Sequence, residues 1–230
     1  MHEVTTECYS PRSAWRRALI YFSCCFAIAG TTGVLRQLAG TAPMLRLGSS
    51  VVETLVGIAV VAQLLFAYGY LWPRGTTHHN RPRRWLLQAG FGLLWGTAQA
   101  VLMLSMFSLL EALLANRLTT AAATFFLTAT LTGFWHGRYW DIRVAPDHNV
   151  REWNLRKVLL AHAPFLILTL LHYALTANVY VFVGAHALAL MASSLVMRFP
   201  APWDPPTPQH QGEGRSAAEL CERGLLGPRL

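Results

Sequence analysis

The sequence predicts an all-α, polytopic integral membrane bundle of about six transmembrane helices. Three observations carry this: six long apolar runs, basic residues gathered on one side of them, and tryptophans gathered on that same side. The runs are 18–38, 51–72, 85–110, 119–135, 158–177 and 179–197. Each approaches the ~20 residues that cross ~30 Å of hydrocarbon as a helix, where the backbone must satisfy its own hydrogen bonds. With the N-terminus in the cytoplasm, sixteen of the nineteen basic residues are cytoplasmic, and only Arg36, Arg46 and Arg117 lie outside. That asymmetry fixes an N-in, C-in orientation. Trp15, Trp72, Trp85, Trp135, Trp140, Trp153 and Trp203 fall at the cytoplasmic boundary, where an indole finds both apolar cover and water, and only Trp95 lies within a span.

Residues 1–17 form a cytoplasmic segment ending in Arg16 and Arg17. The first run resembles a signal peptide, with Ala27-Ile28-Ala29 after the arginines, but it continues to Leu38, too long for such a core, so it is read as a span. The second run opens after Gly48-Ser49-Ser50 and contains Glu53, and the third ends near Glu111; these are the two carboxylates within the spans. Outer connections are short. The inner loop 73–84 is rich in Pro, Arg and His, and the longer inner loop 136–157 is expected to be structured. In it, Asn149 followed by Glu152 reads as a capping box that launches a helix from Val150 into the fifth span. Residues 18–197 thus make one membrane domain, and the Pro-rich stretch 198–230 reads as a flexible cytoplasmic tail.

A net charge of +8 is not a nucleic-acid signal here, because the basic residues are spread over four cytoplasmic segments as topology anchors. Eighteen arginines against one lysine point to a GC-rich bacterial genome and hence to the inner (plasma) membrane. Cys8, Cys24, Cys25 and Cys221 provide no Cys-x-x-Cys pair, which argues against a zinc site or disulfide framework. The chain has no phosphate loop, no Gly-x-Ser-x-Gly elbow and no clustered His-x-x-x-His spacing, so those reaction classes lose their weight.

Chemistry-bearing residues cluster in the second inner loop. His136, Asp141, Asp147 and His148 bring two imidazoles and two carboxylates to a membrane boundary, where they can move protons on a lipid headgroup or reactive terminus. Trp135, Arg138 and Trp140 beside them are candidate substrate-binding residues, though the same set also makes an interfacial anchor. On the fifth span, His162, Thr169, His172 and Thr176 fall within about 80° at 100° per residue and must face the bundle interior. His186 and Ser193 share a face of the sixth. Ionisable groups at such depth are functional candidates, although interhelical hydrogen bonding accounts for them equally well. Catalytic roles are expected for His172 and Glu53, and substrate binding for His162. No cofactor is predicted. His172 and His186, roughly 8 Å and 12 Å deep at 1.5 Å per residue, form an alternative ligand pair for a b-type haem.

Phe134-Trp135, Arg138 and Trp140, with His172 following in a span, resemble the Phe-Trp-x-Arg-Arg-Trp motif and membrane histidine of wax-synthase-type O-acyltransferases. The match covers residues 134–172, with one residue more between the tryptophans and Asp141 after the second. The resemblance implies acyl transfer, with His172 activating the acyl acceptor. In size and aromatic content the chain is also similar to membrane-embedded terpene cyclases, without a shared motif. The expectation is therefore a membrane enzyme that takes a lipid or isoprenoid from the bilayer by acyl transfer or cyclisation. The alternative is a non-catalytic subunit: a haem anchor, transporter component or scaffold. The partners expected are the bilayer and a lipid or isoprenoid substrate, not nucleic acid.

Single cysteines placed in loops 73–84 and 136–157 should resist a membrane-impermeant thiol reagent in intact cells and react after permeabilisation. Labelling of either loop from outside would reverse the orientation.

Overall fold

The structure is a computed structural model that describes residues 11–40, 48–71, 84–135 and 158–196, and every element among them is helical. In chain order these are α1 (Pro11–Thr31), α2 (Val34–Gly40), α3 (Val51–Leu64), α4 (Trp85–Leu114), α5 (Arg117–Trp135), α6 (Ala163–Thr176) and α7 (Val179–Val196). A wider π turn, Leu65–Leu71, carries α3 onward, and a second, Val158–His162, leads into α6. All six apolar runs are therefore helical. Three segments are long and apolar enough to cross a bilayer: Val51–Leu71, Trp85–Leu114 and Leu159–Thr176. A fourth results if α1 and α2 count as one bent span. α4, with 30 residues, is about 45 Å long, more than the ~30 Å hydrocarbon thickness of a bilayer.

The first run departs from the single helix expected over 18–38, because it breaks at Thr32-Gly33 and turns by 75°. Gly33 adopts φ +80°, open to glycine at no steric cost. The hydroxyls of Thr31 and Thr32 both lie 2.9 Å from Ile28 O, which also receives the Thr32 amide at 3.0 Å. Hydroxyls bonding back to a preceding carbonyl compete with the helical ladder and bend it. Thr32 Oγ1 also lies 3.0 Å from Ser105 Oγ, which is 2.6 Å from Val101 O, so the break is fixed against α4.

Two helical hairpins share one design. α4 ends at Ala115 and α6 at Ala177, both left-handed, and each is followed by an asparagine. Asn116 Oδ1 accepts from the Thr119 amide, and Asn178 Oδ1 accepts from those of Tyr180 and Val181. Each asparagine thus caps the next helix while the left-handed alanine ends the previous one. Such two-residue turns force α4–α5 and α6–α7 into antiparallel neighbours.

The tightest packing joins α4 to α7. A Cβ added at Gly92 would lie 2.5 Å from Leu190 O and 2.6 Å from Met191 Cα, and one at Gly96 would strike His186 O. Small residues four apart on one helix let two backbones touch, the main route to helix association where lipid removes the hydrophobic drive. Around this seam Phe22, Phe91 and Trp95 pack edge to face and tie α1 to α4. A second apolar cluster, of Val60, Ala67, Tyr68, Ala161, Phe165, Ala185 and Ala189, joins α3, α6 and α7 around the two π turns.

Gly96→Ala should lower thermal stability in detergent, by the ~1–3 kcal/mol typical of overpacking. Gly90→Ala, where a Cβ meets nothing within 4 Å, should leave it unchanged or raised. Equal melting temperatures for the two variants would contradict the close α4–α7 contact.

Candidate functional site

The site begins with a missing amide. Pro164, in the first turn of α6, has no N–H to give the carbonyl four residues back, that of Leu160. A donor from a neighbouring helix can make up the loss. Gln63 of α3 does so: its Nε2 donates to Leu160 O at 2.8 Å and approaches Ala161 O at 3.3 Å. The chain widens into the π turn Val158–His162 at this point, the local response expected beside a proline. Two residues beyond Gln63, α3 widens likewise over Leu65–Leu71, and the two widened segments pack against each other.

Their meeting brings together two groups far apart in sequence. Tyr68, buried at 5 % exposure, sets its hydroxyl 3.3 Å from His162 Nδ1. Phe165 packs edge-on against the Tyr68 ring, with centroids 5.3 Å apart, and reaches the His186 ring at 5.0 Å on α7. His186 stacks on Phe182 at 4.4 Å, and its Nδ1 lies 2.9 Å from Phe182 O. A phenol and one imidazole thus flank the Phe165 ring, with His162 on the far side of the phenol. Gly69, next to Tyr68 in sequence, is exposed, and a Cβ there would meet nothing within 4 Å. The Tyr68–His162 contact can pass a proton between phenol and imidazole, and π widenings recur at functional sites.

The other expected residues fall elsewhere. Thr169 and His172 are buried and His162 and Thr176 half-buried, in keeping with an inward stripe. His172 is nonetheless ten residues, about 15 Å of helix rise, from His162. Thr176 donates its hydroxyl to His172 O at 2.8 Å and lies 3.4 Å from His172 Nδ1. Glu53 sits at the start of α3, about 22 Å along that helix from Tyr68. There its Oε2 receives the Ser49 amide at 2.6 Å, the Ser49 hydroxyl at 2.8 Å and the Ser50 amide at 3.3 Å. With Ser50 Oγ accepting from the Glu53 amide, this is a capping box. Glu111 pairs with Arg117 at 3.2 Å at the α4–α5 turn. That guanidinium also donates to Tyr173 O and lies over the rings of Phe107 and Tyr173.

His136, Arg138, Trp140, Asp141, Asp147 and His148 lie outside the described residues, as do Asn149 and Glu152; Trp135 is the last residue of α5. Among the described residues no group of three or more His, Cys, Asp or Glu is placed to hold a metal ion. Sequence reasoning passed over Tyr68 and Gln63. The signal for them was Pro164, two residues after His162 inside an apolar run, which demands a polar side chain from another span.

Gln63→Leu should destabilise the bundle by about 1 kcal/mol, the scale of interhelical hydrogen bonds in membranes. In a Pro164→Ala background, where the restored amide serves Leu160 O, the same change should cost much less. A double-mutant cycle with no coupling between the two positions would contradict this account.

No protein-family model matches the chain, and neither does any curated protein or solved structure.

Proposed function

We propose that this chain is a membrane-embedded enzyme that takes a hydrophobic lipid or isoprenoid substrate from the bilayer and acts on it by acid/base chemistry. The reading includes six spans, N-in and C-in, in a bacterial inner membrane, with the chemistry at the cytoplasmic end and acyl transfer or cyclisation as the reaction. The observation that carries it is the buried Tyr68 hydroxyl 3.3 Å from His162 Nδ1 at the meeting of two π turns. A purely structural bundle has little reason to keep a phenol–imidazole contact in such a place, since polar groups there are costly to bury.

The pair works as a relay. With His162 neutral and Nδ1 unprotonated, the Tyr68 proton lies toward the imidazole and its oxygen keeps lone pairs for a substrate proton. As that proton reaches the phenol oxygen, the phenol proton passes to Nδ1; the reverse sequence delivers one. The loop cluster of His136, Asp141, Asp147 and His148 follows α5 and precedes the π turn that holds His162, so chain connectivity supports its joining the same end. Trp135, Arg138 and Trp140 would line the interfacial approach.

Extractable lipids from cells with the chain, without it and with Tyr68→Phe test the proposal. The expected result is a lipid species that changes with the chain and reverts with Tyr68→Phe, while insertion and melting temperature stay close to wild type. Asp141→Asn and His148→Ala should behave in the same way. A lipid profile identical with and without the chain would favour a non-catalytic subunit instead.

A further inference from the structure

We infer that the substrate of this site carries a hydroxyl group, recognised by His186 Nε2; the inference rests on the acid/base reading of the Tyr68–His162 end. His186 is 3 % exposed and its ring is held by Phe182, stacked at 4.4 Å, and Phe165 at 5.0 Å. Its Nδ1 lies 2.9 Å from Phe182 O. A carbonyl oxygen only accepts, so Nδ1 carries the proton of the neutral ring. A neutral imidazole has one N–H, which leaves Nε2 as a bare acceptor.

This selects between ligand chemistries. An ether, ketone or ester oxygen brings only lone pairs to Nε2, whereas an alcohol brings a donor. Phe165 separates this acceptor from the Tyr68 hydroxyl, its ring in contact with both side chains, so an alcohol at Nε2 lies within one phenyl ring of the proton-relay pair. Of the lipid classes a bilayer offers, long-chain and isoprenoid alcohols meet both demands: a chain soluble in hydrocarbon and a hydroxyl proton to donate.

The test uses the full chain in nanodiscs and two probes: a long-chain alcohol bearing a diazirine, and its methyl ether. The alcohol should label segments 65–71 and 158–165 about tenfold more than the ether, the worth of one buried hydrogen bond. His186→Leu should equalise the two. Equal labelling of wild type by both probes, or a preference that survives His186→Leu, would overturn the inference. Should His186→Leu fail to fold, the 15N spectrum of histidine-labelled wild type decides: a protonated Nδ1 with a bare Nε2 at His186 supports it, and the opposite tautomer overturns it. An intact alcohol preference beside a lipid profile indifferent to Tyr68→Phe would support hydroxyl recognition and overturn the acid/base reading alone.

Discussion

The hydrogen bond from Gln63 to Leu160 O is the contact on which one end of this bundle depends. Pro164 has no N–H to give Leu160 O, and the donor comes from another helix. Gln63 answers that need across 97 residues of sequence, holding α3 against the start of α6 where both helices are widened. The same contact sets Tyr68 beside His162. Breaking and repair are thus parts of one arrangement: the proline opens the helix, the glutamine holds the opening, and the opening accommodates a polar pair that a regular helix would have carried past its partner.

The remainder of the molecule makes that end rigid. Gly92 and Gly96 bring α4 onto the backbone of α7, fixing the helix that carries His186. The opposite end is closed by local devices: two Ala-Asn turns, the Ser50–Glu53 capping box, and Arg117 held by Glu111 and Tyr173. Tyr180 donates to Leu38 O, and Tyr173 to Gln37 Oε1 at 3.3 Å, so the short α2 is tied down after its 75° turn.

Much of the helical layout was legible in the sequence, because apolar runs of bilayer length can satisfy their backbones only as helices. The inward stripe of His162, Thr169, His172 and Thr176 was legible too, since 100° per residue puts them on one face. The break at Gly33 was not, because a run judged by its overall apolar character hides a single glycine preceded by two threonines. Tyr68 was missed since an aromatic residue in a span reads as apolar, and its significance depends on a histidine 94 residues later. Glu53 illustrates the converse: a carboxylate in an apolar run suggests proton chemistry, yet the two serines before it, visible in the sequence, supply the partners of a helix cap. The loop residues from His136 to His148 stand on sequence and connectivity alone.

Hydrogen exchange read by mass spectrometry on the Gln63→Leu variant in nanodiscs tests the central claim most directly. If Gln63 holds the two widened turns together, exchange should rise in segments 65–71 and 158–165 and stay at the wild-type level across α4. Unchanged exchange in both segments, or a rise spread evenly over the bundle, would contradict it.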